Sequence, residues 1–433
     1  MKTVAYHNLG CKVNAYEMDA MLQSLRQRGY QIVPFEDKAD IYIVNTCTVT
    51  NIADRKSRQM LHKAKKTNPE GIVVAVGCYV QSDTQAVEAD HAVDLLIGNN
   101  KKKELVQILE DYMNGVKQES VIDINHTSEY EEMQITSTAE HTRAYIKIQD
   151  GCNQFCSYCM IPYARGRVRC RAKASVLEEI RGLASVGYKE FVLTGIHISS
   201  YGMEDLLTLV QAIDTIEGVE RIRLGSLEPR IVTEDFVRGV SASTHLCPHF
   251  HLSLQSGCDS VLKRMNRHYT AEEYLAGVRL LRRYFENPAV TTDVIVGFPG
   301  ETEREFDITR SFVETVGFYE MHIFKYSKRK GTRAAVMPDQ VPEEVKAHRS
   351  GVLQAIEQRD SSAFRASYIG KDVQVLFEEK KVIEGEAYWI GHTREYVKVA
   401  CRAQDTILEN QLAVGKIKGF LQDDILRMQL KKV

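Results

Sequence analysis

The chain has 433 residues, 44% of them hydrophobic and 26% charged, with a formal net charge of −2. That composition excludes a disordered or fibrous protein, and at roughly 150 residues per domain the length predicts about three domains. A near-neutral charge gives no global case for nucleic acid or membrane, so a polyanionic partner has to be met by a local patch. No apolar run approaches the roughly 18 residues of a membrane span. The opening MKTVAYHNLGCKVNAYEMD lacks the apolar h-region of a signal peptide. The expected location is therefore cytoplasmic, with no membrane partner. There the ten cysteines stay reduced and serve as buried thiols, metal ligands or catalytic groups.

Residues 1–112 alternate strand and helix signals. Thr3 to His7, Ile41 to Val44 and Ile72 to Val76 are apolar runs of strand length, each followed by a helical pattern. Asn14 with Glu17 predicts a capping box on the first helix, and Ser82 with Gln85 one on the third. Strands alternating with helices imply a parallel sheet. Residues 110–140 are polar and aperiodic, and read as a connector.

Over 138–368 a second α/β series predicts six strands: Tyr145–Ile148, Phe191–Leu193, Ile222–Leu224, Phe250–Leu254, Thr292–Val296 and Met321–Phe324. Capping boxes are predicted at Ser175 with Glu178, Thr270 with Glu273 and Thr302 with Glu305. Six βα units fit a partial (β/α)6 barrel, whose chemistry sits at the strand C-terminal ends. After Gly370 the pattern shortens to alternating strands separated by glycines, which predicts a small antiparallel β-barrel over 371–433.

Cys152, Cys156 and Cys159 form a C-x3-C-x2-C run just past the first of the six strands. Three thiols suit an iron–sulfur cluster with one iron left open; a zinc site recruiting Cys170 or a histidine, or three buried thiols, are the alternatives. Cys11, Cys47 and Cys78 are far apart in sequence, yet each follows one of the three N-terminal strands. A parallel sheet aligns those ends, so the thiols converge near helix N-termini that favour thiolates. Buried apolar cysteines are the alternative here. Cys170, Cys247, Cys258 and Cys401 share no spacing and are expected to be plain buried thiols.

The run from Gly151 through Cys159, Pro162, Arg165 and Gly166 to Arg169 resembles the methylthiotransferase branch of the radical S-adenosylmethionine enzymes. So do Asn45-Thr-Cys47, Leu224-Gly-Ser-Leu-Glu228-Pro229, His251-Leu-Ser-Leu-Gln255-Ser256-Gly257, Val294-Ile-Val-Gly297-Phe-Pro299-Gly300-Glu301-Thr302 and Tyr326-Ser327 to Gly331-Thr332. The resemblance spans nearly the whole chain, and the C-terminal barrel is similar to the family's RNA-binding TRAM module. It implies a radical-SAM barrel with a [4Fe–4S] cluster on Cys152, Cys156 and Cys159, whose open iron chelates S-adenosylmethionine and yields a 5′-deoxyadenosyl radical. It implies a second [4Fe–4S] cluster on Cys11, Cys47 and Cys78 that carries the sulfur. Two S-adenosylmethionine molecules are consumed per product, and the electron donor is expected to be a flavodoxin or ferredoxin, with the sulfur donor open. Gly195, Gln255 and Ser256 are implied as contacts to S-adenosylmethionine, while His197 either contacts it or caps a strand.

Arg165, Arg167, Arg169, Arg171 and Lys173 alternate beside the cysteine loop, and Lys328, Arg329, Lys330 and Arg333 follow the sixth strand. Both stretches are candidate RNA contacts through phosphate, with a solvated surface as the alternative. From Lys371 to Val433 eleven basic residues face ten acidic ones, so the RNA role of that barrel rests on the resemblance. Leu9-Gly10-Cys11-Lys12-Val13-Asn14 and Thr48-Val49-Thr50 resemble the branch acting on N6-threonylcarbamoyladenosine at position 37 of tRNA. That substituent carries a carboxylate, and Arg55, Lys56 and Arg58 are the candidate cations for it. The other activities in view are methylthiolation of isopentenyladenosine or of a ribosomal protein, and, in a different class, an iron–sulfur redox protein. Electron carriers usually close all four cluster positions, which weighs against the last.

Overall fold

The computed structural model describes residues 2–116, 118–138, 142–403 and 407–431. Its N-terminal sheet consists of β1 (Thr3–Asn8), β2 (Gln31–Val33), β3 (Ile41–Thr46), β4 (Ile72–Gly77) and β5 (Leu95–Ile97), all parallel, in the order β2-β1-β3-β4-β5. The central β3 is buried at every position, as expected for a parallel strand covered on both faces. β2 and β5 escaped the sequence expectation because three-residue strands carry too little periodicity to be seen.

α1 (Lys12–Gln27) starts directly after Cys11, one turn earlier than the Asn14 cap predicted. Asn14 lies inside the first turn, where its Nδ2 donates to the carbonyls of Leu9 (2.6 Å) and Thr46 (3.1 Å). Ser82 ends a short helix, Cys78–Ser82, and caps nothing; its hydroxyl donates to Thr48 Oγ1 at 3.1 Å. The Ser175 box is also absent, because that helix, Lys173–Ser185, begins after Ala172 and Ser175 donates to Glu132. The boxes at Thr270–Glu273 and Thr302–Glu305 form reciprocally. α2 (Asn51–Thr67) is capped by the hydroxyl of Thr50.

The segment read as a connector is packed. Ile124, Glu131, Met133 and Ile135 are buried, and the Tyr130 hydroxyl donates to the carbonyl of Lys147 at 2.9 Å. It straps the N-terminal sheet to the middle of the chain.

Six parallel strands follow: Arg143–Lys147, Glu190–Thr194, Arg221–Leu224, His249–His251, Ala289–Val296 and Glu320–Lys325. They form two three-stranded sheets, joined by parallel bridges Ile222–Leu246 and Leu227–Leu252. Alternate residues of each strand point outward into the helical layer, among them Ile146, Leu193, Leu224, Phe250, Val294 and Met321. Among the intervening residues, Arg143, Glu190 and Arg223 form buried ion pairs with one another. α1 packs across the first of these strands.

The C-terminal unit is a closed five-stranded barrel in the order Asp372–Ile383, Glu386–His392, Lys398–Arg402, Ile425–Leu430, Leu412–Gln422. It is not wholly antiparallel as expected: Lys398–Arg402 pairs with Ile425–Leu430 in parallel. Its Tyr396 enters the six-stranded unit from below. The ring stacks on His392 (4.4 Å between centroids) and His249 (5.3 Å), with the guanidiniums of Arg143 and Arg223 5.0 and 4.8 Å away. Arg143, Glu190, Arg221 and His249 each open their strand. The small barrel thus closes the N-terminal end of the strands, opposite the cysteine loop.

Candidate active site

Cys152, Cys156 and Cys159 line one cavity of about 290 Å3 at the C-terminal ends of the strands. Gly151 allows the sharp exit from the first strand: its φ is +70°, and a Cβ there would lie 1.9 Å from the Arg167 carbonyl oxygen. The Ile161 amide donates to Cys159 Sγ at 3.4 Å, and Arg267 Nη1 to Cys156 Sγ at 3.1 Å. Burial, reinforced by the neighbouring thiols, pushes Cys152 up to about 11 and Cys159 up to about 12. Metal-free, these thiols hold their protons at neutral pH, and binding iron must displace them.

Cys11, Cys47 and Cys78 sit at the matching edge of the N-terminal sheet. Gly10, at φ +107°, brings its loop so close that a Cβ would fall 3.2 Å from the Cβ of Cys47. Burial raises Cys11, partly offset by Arg165, and Cys47 is pushed up to about 11, chiefly by burial; both also feel Cys78. Asn99 Nδ2 reaches Cys78 Sγ at 3.5 Å. Val49 and Thr50, just after Cys47, line the same cavity as Cys152, Cys156 and Cys159. The loop after Cys47 therefore borders the space that Cys152, Cys156 and Cys159 line.

The remaining wall includes His197, Glu228, Ser253, Gln255, Asp293 and Phe324. Gln255 adopts φ +67°, unusual for a side-chain-bearing residue, while its neighbour Ser256 is fully buried and meets Thr309 Oγ1 at 3.1 Å, facing away. Ser256 is thus not a cavity contact. Gly195 packs against Gln149, where a Cβ would come within 2.9 Å of Oε1. His197 Nδ1 meets Ser200 Oγ at 2.7 Å, and its buried Nε2 has no hydrogen-bond partner among the described residues. Burial lowers the His197 pKa, which keeps a neutral imidazole at the wall.

The arginines expected to face RNA divide. Arg165 is 0% exposed, and Arg169, 2% exposed, donates to the Arg165 carbonyl. Arg165 binds Glu17 with both nitrogens (2.8 and 2.9 Å), Asn14 (2.6 Å) and Asp150 (3.1 Å). Lys102 and Lys147 complete this interior charge cluster. Arg171 pairs inside with Glu179. Arg329 bonds Asn51, Asp54 and Thr48, joining the sixth strand's loop to α2. Arg165 and Arg329 clamp the N-terminal unit to the middle of the chain, and Arg169 and Arg171 are held inside as well, so none of the four is a surface contact. Arg167, Lys173, Lys328, Lys330 and Arg333 remain exposed, with Arg167 stacked 4.6 Å over Phe155.

Arg55, Lys56 and Arg58 lie exposed on α2, Arg58 bonded to the Tyr79 hydroxyl at 3.0 Å, and none is among the cavity's lining residues. Cys170 is exposed rather than buried, and its thiol donates to the Ser200 carbonyl at 3.4 Å. Sequence reasoning passed over Arg267, which lines the cavity and donates to Cys156 Sγ; it lies far along the chain from the cysteine loop, and nothing local marked it.

Two family models match: Uncharacterized protein family UPF0004 over residues 3–98 and the Radical SAM superfamily over 146–313. The threonylcarbamoyladenosine tRNA methylthiotransferase MtaB of Bacillus subtilis (strain 168) is 40% identical over 431 residues, covering 97% of this chain and 94% of that protein. A tRNA-2-methylthio-N(6)-dimethylallyladenosine synthase of Pelotomaculum thermopropionicum is 34% identical over 396 residues, covering 89% and 88%. Among solved structures, the radical S-adenosylmethionine methyltransferase TsrM of Kitasatospora setae gives a TM-score of 0.60 at 14% identity, covering 89% of this chain and 79% of that one, a likeness of fold alone. The superfamily match implies a [4Fe–4S] cluster and S-adenosylmethionine, and three thiols on one cavity wall are a fitting donor set. With near-complete coverage at this identity, the chain belongs to the radical S-adenosylmethionine methylthiotransferases.

Proposed function

We propose that this enzyme converts N6-threonylcarbamoyladenosine at position 37 of tRNA to its 2-methylthio derivative, using two S-adenosylmethionine molecules. The observation that carries this reading is a single cavity bordered by Cys152, Cys156 and Cys159 on one side and by the loop after Cys47 on the other. When bound, a [4Fe–4S] cluster on the first triad supplies reductive cleavage of S-adenosylmethionine, and a second on Cys11, Cys47 and Cys78 supplies the sulfur. The chain's own residues bind, orient and exclude water. Glu228, held by Arg230 at 2.9 Å, offers carboxylate oxygens to hydroxyl or ammonium donors. Ile196, Leu227, Ile295 and Phe324 make the wall largely apolar, which keeps water from a reactive carbon.

The adenine must leave the anticodon-loop stack to reach this cavity. Exposed Arg167, Lys328, Lys330 and Arg333 are the phosphate contacts in this reading. The one-electron donor is a flavodoxin or ferredoxin type of protein. Mass spectrometry of tRNA nucleosides from a deletion strain tests the assignment. Loss of the 2-methylthio threonylcarbamoyl nucleoside, with its parent accumulating, supports it. Loss of the methylthio-isopentenyl nucleoside instead overturns it.

A further inference from the structure

Three neighbouring strands, His249–His251, Ala289–Val296 and Glu320–Lys325, carry a cluster that the reaction described above does not use. Phe250, Val294 and Met321 on these strands pack into the helical layer, so His251, Asp293 and His322 share the opposite face. The register brings them together. His251 pairs with Thr291, two residues before Asp293, and Asp293 pairs with His322. Asp293 itself lines the cavity, as do Ile295 and Phe324, the next residues along the same face.

The three side chains bring one ligand atom each within 4.8 Å of one another. His251 Nε2 lies 3.3 Å from Asp293 Oδ2, and the rings of His251 and His322 stack at 5.8 Å. Two ligands bound at about 2.0–2.1 Å on a tetrahedral ion are about 3.3 Å apart, so the first pair already has the span of a coordination edge. His251 Nδ1 is 3.0 Å from Thr291 Oγ1. With Nδ1–H donating to that hydroxyl, Nε2 presents its lone pair, and the ring is held in the way metal-ligating histidines are held. A lone pair facing a carboxylate oxygen is repulsive, and a cation between them turns that into attraction. Among the described residues, no hydrogen bond joins His251 to Asp293, and no lysine or arginine pairs with Asp293. His322 is exposed, so its ring can close the remaining distance without disturbing the core.

We propose that His251, Asp293 and His322 bind one divalent transition-metal ion of the zinc class at the wall of the cavity, with Thr291 fixing the His251 ring. Two imidazoles and one carboxylate suit such an ion, whereas magnesium and calcium prefer oxygen ligands throughout. Three protein ligands leave a fourth position for water or a substrate oxygen, the pattern of catalytic rather than structural zinc sites. A dication with one carboxylate keeps a net positive charge, so that position favours an anionic oxygen. The site is separate from both cysteine triads: its ligands lie on other strands and include no thiol.

The test uses full-length enzyme with its cysteine triads loaded by anaerobic reconstitution, so that the thiols are not free to take the probe. Zinc binding is measured by equilibrium dialysis, with iron counted in the same samples. The wild type should hold about one zinc per chain with its iron unchanged. Asp293→Asn and His322→Ala should each weaken zinc binding by about a hundredfold or more, and Thr291→Val by about ten- to a hundredfold, the range for a lost partner of a ligating histidine. His322→Ala removes an exposed side chain and should leave the fold intact, which circular dichroism checks. Zinc bound equally by the wild type and His322→Ala sits elsewhere and overturns the inference. A wild type that takes up no zinc, or takes it up only as iron is lost, overturns it too.

Discussion

Arg165 and Glu17 form a two-pronged ion pair, 2.8 and 2.9 Å, that ties the helix after the Cys159 loop to the helix that starts at Cys11. Each residue lies within one to two turns of a thiol triad. The pair therefore sets the relation of the two triads, and it does so in the interior, where geometry is least forgiving of a lost partner.

Replacing Arg165 by Ala should cost about 3–5 kcal/mol of stability, because Glu17 and Asp150 are left buried without a guanidinium. Urea denaturation of the purified protein measures this. The exposed Arg167→Ala should leave stability within about 0.5 kcal/mol and lower the salt dependence of tRNA binding by about one phosphate contact. An Arg167→Ala variant with an unchanged salt slope removes that residue from the RNA path.

The charge cluster also makes the fold sensitive to acid. Burial alone would raise the Glu17 carboxyl, but Arg165, Lys102 and Lys147 outweigh it and hold it well below the usual range. Asp150 is held low in the same way, with Lys147 and Arg165 overcoming burial. A depressed carboxyl contributes fully above its unfolded value near 4 and loses that contribution as pH falls toward the folded value. Stability should therefore drop between about pH 4 and 2, and Glu17→Gln should be less stable at neutral pH with a shallower acid limb.

Two triads on separate sheets should load separately. Anaerobic reconstitution should give about eight irons per chain, and about four after Cys152, Cys156 and Cys159 are all changed to Ala. Iron analysis with circular dichroism checks both content and fold. Complete loss of iron with a native spectrum would show that the sites depend on one another.

Arg267 donates to Cys156 Sγ at 3.1 Å. A positive donor to a cluster thiolate stabilises the more negative, reduced state, so it raises the reduction potential. Arg267→Met should shift the potential of that cluster downward, read by an EPR-monitored redox titration, while the potential of the Cys11–Cys47–Cys78 site stays put. An unchanged potential would mean that the guanidinium does not act on the cluster.

What the sequence determined by itself is local or periodic. The three cysteines of the Cys152 loop are close in the chain, the Thr270 and Thr302 boxes close over three residues, and the N-terminal parallel strands are short continuous apolar runs. Cys11, Cys47 and Cys78 were legible because a parallel sheet aligns strand ends whatever lies between them. Tertiary structure alone decided which way the charges point. Arg165 and Arg167 are two apart and alike in sequence, yet one finds a buried partner 148 residues away and the other faces water. A cation on its own is stable only in water, and only the packed chain brings the distant carboxylate that gives it another place.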